Sequence, residues 1–215
     1  MPLQLPNSAL VDRFIAKSKF YERGIISPKL KDDFISKIQK ITWKYKLSES
    51  TIGINKTNSV TEIQIFEIEL KEKVIPKTVI SLIDKAIPYQ ILYQFKFNDH
   101  TAYAITLKGL EDIEKTQAKD YYFSEWDEPV QFEFTGTTLE SVYQKLIKSF
   151  IKHPAKQQGD FKIVIETDHK TKQLEKDIAL LAKKISKEKQ FNRKVELNKT
   201  LLDKQQQLQL IKDVS

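Results

Sequence analysis

The chain has 215 residues, 40% hydrophobic and 30% charged, with a formal net charge of +7. That length and mix suit one domain of ordinary size plus an appendage, or two small domains, and exclude wholesale disorder. The absence of cysteine excludes a disulfide scaffold, a thiol nucleophile and any zinc or iron–sulfur site with thiolate ligands.

Charge is unevenly spread. Residues 1–46 carry 10 Lys and Arg against 4 Asp and Glu, residues 47–169 carry 14 against 19, and residues 170–215 carry 12 against 6. A basic head and a basic tail thus flank an acidic body. Two arrangements satisfy this layout. The ends pack on the acidic body of the same or a neighbouring subunit, or they build a surface for phosphate. The start, MPLQLPNSAL, has neither the basic n-region nor the apolar h-region of a signal peptide. No apolar run approaches the roughly 20 residues of a membrane helix. The expectation is a soluble, cytoplasmic protein with no membrane partner.

In chain order, Pro2–Pro6 reads as an extended lead-in. From Ala9 to Arg23, the positions of Leu10, Phe14 and Ile15 suggest a helix stripe that Gly24 ends. Ser27 and Pro28 have the form of an N-cap followed by proline at the first helical position. The helix they open would carry Leu30, Phe34, Ile38 and Ile41 on one face and Lys37, Lys40 and Lys44 on the other. Trp43 and Tyr45 sit among those lysines. Ser48 to Asn58 is a polar connection.

Val60 to Lys71, VTEIQIFEIELK, is the clearest strand. Ile63 and Ile65 lie on one face; Phe66, Ile68 and Leu70 lie on the other. The change of parity implies burial on both sides for part of the length, or a bulge near Ile65–Phe66. Either belongs to a central strand. Pro76 and Pro88 bound a helix with Val79, Ile80, Ile83 and Ile87 inward. Tyr89 to Phe97 and Thr101 to Leu107 read as a hairpin turning at Asn98-Asp99-His100. Glu111 to Asp120 is polar and reads as a mobile loop. Tyr121 to Trp126 and Val130 to Phe134 read as strands joined by the Asp127-Glu128-Pro129 turn. Thr137 and Glu140 have capping-box spacing for a helix to about Ile151, burying Leu139, Tyr143, Leu146, Ile147 and Phe150. His153-Pro154 ends it, and Gln157-Gln158-Gly159 marks a boundary. Phe161 to Ile165 reads as a short last strand.

From about Lys170 the chain reads as helix. Leu174, Ile178, Leu181 and Ile185 form a heptad seam; Leu197, Leu201, Leu208 and Ile211 form a second, with Lys204 at the missing place. The seam slips across Lys187 to Lys194. Fully helical, this tail would reach roughly 60 Å at ~1.5 Å per residue. The seam leucines and isoleucines would then dock on a protein partner or pair with a second copy as a homodimer. The plainer alternative is one amphipathic helix lying on the body. The expected fold is α+β in three parts. An N-terminal helix pair in residues 1–58 packs on a mostly antiparallel sheet domain in residues 59–168. A long basic C-terminal helix with coiled-coil character follows in residues 169–215. Within the sheet domain, Glu62–Leu107 with the later ββα suggests a ferredoxin-like arrangement.

Few residues carry recognisable chemistry. Glu67, Glu69 and Lys71 share one strand face, and Glu69-Leu70-Lys71 is a Glu-x-Lys. Metal-dependent nucleases of the restriction-enzyme fold use that spacing: the carboxylate holds a divalent metal and the lysine stabilises the attacked phosphate. They need a second acid, for which Glu62, Asp32 and Asp33 are available. The alternative is an exposed strand face with alternating charge, since Glu-x-Lys recurs by chance in a chain rich in both. His100, His153 and His169 share no ligand spacing, so no metal site is expected from them. Five dispersed glycines form neither a P-loop nor a dinucleotide fingerprint, and there is no Ser/His/Asp elbow. No cofactor is expected, save a divalent metal under the nuclease reading.

Tyr21, Trp43 and Tyr45 interleave with Lys19, Arg23, Lys40, Lys44 and Lys46. Such a set stacks bases and pairs phosphates. The alternative has the aromatics anchoring a helix to the sheet, with the lysines, Lys37 included, left for phosphate. Lys187, Arg193 and Lys194 offer the same charge from the tail.

Several stretches together resemble a bacterial domain-of-unknown-function family of similar length. They are FYERGIISPKLKDDFISKIQKITWKYKLSESTIGI, VTEIQIFEIELKEK, IDKAIPYQILYQF, YYFSEW and KEKQFNRKVELN. The likeness spans nearly the whole chain in the same order. Members of that family are often encoded beside helicases of the SNF2 or other types and DNA methyltransferases in restriction-like, phage-defence loci. The resemblance implies an accessory role in such a system, with a helicase or methyltransferase as protein partner, and implies no catalytic residues. The functional expectation is a non-enzymatic subunit of a DNA-defence complex that docks on a partner and touches DNA backbone. The alternative is a nuclease using Glu69 and Lys71.

Overall fold

The structure, a computed structural model, describes residues 3–21, 26–109, 121–152 and 159–213. Two compact units meet in sequence at residues 150 and 151. The class is α+β, as expected.

The first unit is built on a six-stranded sheet in the order β1-β2-β3-β4-β5-β6. The strands are β1 (Leu10–Phe14), β2 (Ile38–Leu47), β3 (Ile63–Leu70), β4 (Gln90–Phe97), β5 (His100–Thr106) and β6 (Tyr121–Phe123). All neighbours are antiparallel except β3 and β4, which are parallel. That parallel pair needs a crossover, and helix α4 (Lys77–Ala86) supplies it. Because β3 and β4 pair directly and the strands follow in sequence order, the ferredoxin-like expectation fails: that arrangement requires a strand inserted into the βαβ unit.

β3 lies where the parity change placed it. Ile63, Gln64, Ile65 and Phe66 are all buried, so both faces are covered over its first half. Its pairing with β4 runs unbroken from Ile63 to Glu69. The irregularity is in the neighbour: Lys44 of β2 is the extra residue between Trp43 and Tyr45, opposite Phe66 and Ile65.

On one face Phe66, Ile68, Leu70, Tyr93 and Phe95 pack with Val79, Ile80 and Ile83 of α4 and Phe34 of helix α2 (Pro28–Lys37). Phe20, on the single-turn helix α1 (Ser18–Tyr21), stacks on Phe34 at 6.0 Å between ring centres. On the other face lie Ile63, Ile65, Leu92 and Ile105, all buried. Helix α5 (Leu139–Lys148) packs on β5, burying Leu139, Val142, Tyr143, Leu146 and Ile147. The Tyr143 hydroxyl donates to the Thr106 carbonyl. A short helix α3 (Glu49–Ile52) occupies the stretch expected to be irregular.

Four local expectations are corrected. Leu10–Phe14 is an edge strand, not a helix stripe, and Leu10 and Phe14 stay exposed. Its spacing mimics a helix, but pairing to β2 decides, and Asp12 at φ 45° bulges it. The helix opened by Ser27 and Pro28 stops at Lys37, so Ile38, Ile41, Trp43 and Tyr45 belong to β2. The β-branched and aromatic run IQKITWKYKL favours a pleated surface over a third helical turn. No loop separates α2 from β2, so the carbonyls of the last helical turn need outside donors. Lys71 Nζ donates to Ile35 O at 2.8 Å and Lys71 N to Lys37 O at 2.8 Å, while Lys17 Nζ donates to Ile38 O. Val130–Phe134 alternates in burial but pairs with no strand; Phe132 instead sits edge-on to Tyr103 at 4.9 Å. The capping box of α5 is Thr138 with Ser141, one residue beyond the expected threonine. Glu111–Asp120, His153 and Pro154 lie outside the described residues.

The second unit is a helical hairpin. Phe161–Ile165, expected as a strand, opens α6 (Phe161–Lys187), whose N-cap Asp160 accepts from Lys162 N at 2.7 Å. Buried Phe161, Val164 and Ile165 recur at helical, not alternating, spacing. Glu188–Gln190 breaks the tail, and α7 (Phe191–Asp213) packs back on α6. Lys204 pairs with Asp177 at 2.7 Å and Lys212 with Glu175 at 3.7 Å, which fixes the antiparallel direction.

One carboxylate in the first unit is held well above the ordinary range. Asp84 of α4 accepts from the Tyr93 hydroxyl at 2.9 Å and from the Tyr121 hydroxyl. Burial raises its pKa from 3.8 to about 6, against the opposing pull of the Tyr93 hydrogen bond and Lys108. Its native pKa exceeds its unfolded one, so the native state keeps a proton that the unfolded state has released. Stability from this group is therefore present at low pH and lost as pH rises through about 4 to 6. Asp84→Asn removes that slope. In urea unfolding the variant is expected to match the native chain near pH 4 and gain on it by roughly 2 kcal/mol at pH 7. A difference that does not change with pH would refute the assignment.

Candidate nucleic-acid interface

The cations expected to bind phosphate fall into two groups. Four of those in the first unit are partnered. Lys37 pairs with Asp33 at 3.0 Å, Lys40 with Glu69 at 3.6 Å, Lys44 with Asp12 at 2.7 Å and Lys46 with Glu62 at 2.8 Å. The Lys37 ammonium lowers the Asp33 pKa, and the Lys44 hydrogen bond lowers that of Asp12. In return, Asp12 holds the Lys44 pKa above its ordinary value. Such pairs contribute only about 0–1 kcal/mol each where exposed, but they cancel the field that would attract phosphate. Four lysines of the basic head are thus matched by carboxylates within their own unit. Lys19 stands exposed on α1; Arg23 and the Tyr21 side chain lie outside the described residues. Trp43 packs at the margin of the core and donates from Nε1 to Tyr45 O at 3.0 Å.

The Glu-x-Lys residues are held by different neighbours. Glu67 and Glu69 share a face of β3 with Thr42 and Lys40 of β2 and Gln94 and Lys96 of β4. Glu69 meets Lys40, and the Lys71 ammonium is committed to the Ile35 carbonyl at the end of α2. Glu62 lies seven residues back along extended chain, roughly 23 Å at ~3.3 Å per residue. It accepts from Gln64 Nε2 at 2.6 Å and lines an open cleft with Lys46, Lys56, Ser50, Thr61 and Tyr89. Asp33 is taken by Lys37 and Thr78. Among the described residues no three His, Asp or Glu side chains are grouped to hold a metal ion.

The second unit differs. Residues 183–199, around the turn between α6 and α7, carry seven cationic side chains, Lys183, Lys184, Lys187, Lys189, Arg193, Lys194 and Lys199, against Glu188 and Glu196. All seven cations are exposed, and none lies in a salt bridge with a carboxylate among the described residues, although Arg193 is near enough to help lower the Glu188 pKa. Glu188 caps the turn. Its Oε1 accepts from Lys189 N at 2.8 Å and Gln190 N at 2.9 Å, which lowers its pKa. Lys183, Lys184 and Lys187 line a shallow groove with Leu180, Glu188 and Leu197. Lys187, Arg193 and Lys194 are therefore brought together with four cations that were not singled out from the sequence. Their signal was present: a run of basic residues where the heptad seam slips.

The seam residues meet each other. Leu174 is buried, and Ile178, Leu181, Ile185, Leu197, Leu201 and Leu208 are half-buried along the α6–α7 hairpin. The two registers are the two sides of one intrachain contact. What α7 leaves outward is a second apolar set: Phe191, Val195, Leu202 and Leu210, at 78%, 51%, 58% and 64% exposure. No helix among the described residues is long and apolar enough to cross a membrane.

No curated protein and no solved structure matches this chain. A family model described as a domain of unknown function, DUF4391, matches residues 3–208, nearly the whole of both units. The chain belongs to the DUF4391 family.

Proposed function

We propose that this protein is a non-enzymatic accessory subunit of a bacterial, restriction-like DNA-defence complex. It docks on a helicase or methyltransferase and holds DNA by its backbone without reading sequence. The supporting observation is the separation of cations: those on β2 are matched by carboxylates, whereas those at the α6–α7 turn are unmatched and exposed. An unmatched basic cluster on a narrow turn attracts a polyanion and releases its counterions on contact. The family resemblance supplies the class of partner. The outward Leu202 and Leu210 of α7 supply apolar surface for docking, since the seam is already used inside the hairpin.

Two measurements test this. Affinity for a DNA duplex should fall steeply with salt. Exchanging Lys187, Arg193 and Lys194 together for Gln should flatten the slope of log K on log salt by about 3. Exchanging Lys40, Lys44 and Lys46 for Gln should leave that slope intact while costing up to about 1 kcal/mol of stability per residue. A flat salt response in the native chain would end the DNA reading. For docking, Leu202→Lys with Leu210→Lys should abolish co-purification with the helicase or methyltransferase of the same locus. Undiminished co-purification would end the reading of α7.

A further inference from the structure

The tip of the hairpin holds more than charge. Phe191 is the first residue of α7 and is 78% exposed, the most exposed of the large apolar side chains among the described residues. Burial of an aromatic ring is among the larger gains available to a folding chain, so a ring left in water at a turn calls for an explanation. Its surroundings are polar. Lys194 and Asn198 follow at three and seven residues and share its helix face, and Lys199 is one further. Lys187 and Lys189 precede it on the turn. An apolar docking stripe would place apolar neighbours beside Phe191. Within two turns of α7 its face carries one apolar side chain, Val195, beside Lys194, Asn198 and Lys199, and Leu202 follows only a turn further on; Glu188 on the turn is engaged by backbone amides.

A flat exposed ring amid unpaired cations matches single-stranded nucleic acid. An unpaired base offers a π-face for stacking, and the adjoining phosphates meet the ammonium groups. A duplex keeps its bases stacked inside and presents only phosphate to such a tip. We propose that the α6–α7 tip binds unpaired nucleic acid, with Phe191 stacking on an exposed base and Lys187, Lys189 and Lys194 holding the flanking phosphates. This rests on the DNA-binding reading above and narrows it. The ligand is a strand already separated, such as a helicase displaces, or an unpaired end.

The test uses the full chain and a labelled, mixed-sequence 20-mer of DNA, single-stranded and as a duplex, by fluorescence anisotropy at low salt. The native chain should prefer the single strand. Phe191→Ala should weaken single-strand binding by about tenfold and leave duplex binding within twofold. Phe191→Tyr should keep native affinity, and Phe191→Leu should behave as the alanine variant, because stacking needs a ring and not merely apolar bulk. The ring is exposed, so the exchanges leave the fold in place. If Phe191→Ala is silent on the single strand, weakens both forms equally, or is rescued by leucine, the stacking inference falls. Binding of duplex alone, with a steep salt slope, overturns the inference while the DNA-binding reading stands. Binding of neither form overturns both.

Discussion

A strand covered on both faces and paired on both edges constrains everything around it. β3 is that strand. Over Ile63–Phe66 it has no solvent-facing side, so each neighbour must supply apolar surface in register. α4 is required because the next strand runs parallel, and a parallel neighbour demands a crossover. α2 must end where β2 begins, because the Ile38 and Ile41 side chains belong to the core shared by Phe66 and Ile68. That abrupt junction leaves helix carbonyls exposed, and Lys17 and Lys71 answer them. Burial and the neighbouring Lys71 lower the Lys17 pKa, the electrostatic mark of two ammonium groups brought to one helix end. Lys71, which the Glu-x-Lys spacing would assign to phosphate chemistry, has a sufficient structural occupation.

The same constraint explains where charge remains available. β2 is amphipathic, and its lysines stand beside carboxylates donated by β1, β3 and the residue before β3. Sheet geometry places opposite charges side by side at cross-strand distance, so they neutralise one another. A hairpin turn has no such neighbours. Its cations project on the outside of two helices, with only Glu188 and Glu196 nearby, and Glu188 is engaged by backbone amides. The basic head and the basic tail look alike in composition and differ in what surrounds them.

How much of this was legible depended on whether local pattern and tertiary contact agreed. β3, α4, β4 and β5 were readable because alternation, proline boundaries and a hairpin turn all point the same way. Leu10–Phe14 and Ile38–Ile41 read as helical from the sequence because spacings of four and three satisfy a helix and also occur in a bulged or twisted strand; only the partner strand decides. Phe161–Ile165 was misread because five apolar-rich residues cannot separate strand from helix without the Asp160 cap as a guide. The tail hairpin was half visible. Its turn has no glycine or proline, so the break showed only as two seams out of register. The expected site residues of the first unit failed to stand out as free charges, because ion pairing across strands leaves no trace in a linear sequence. Asp84 was missed altogether, since one acid on a helix gives no sign that two tyrosines from other strands will close over it.

Lys204 was conspicuous as the polar residue interrupting a leucine seam. In the hairpin it lies opposite Asp177, both half-buried. A slip of one turn in either direction would move that ammonium against apolar side chains and leave Asp177 with Gln173 alone. Two copies of α7 laid parallel and in register along the same seam would set Lys204 against Lys204. A buried polar residue at one seam position trades some stability for a single alignment. The pair therefore works as a register pin. It fixes which residues of α7 are turned outward.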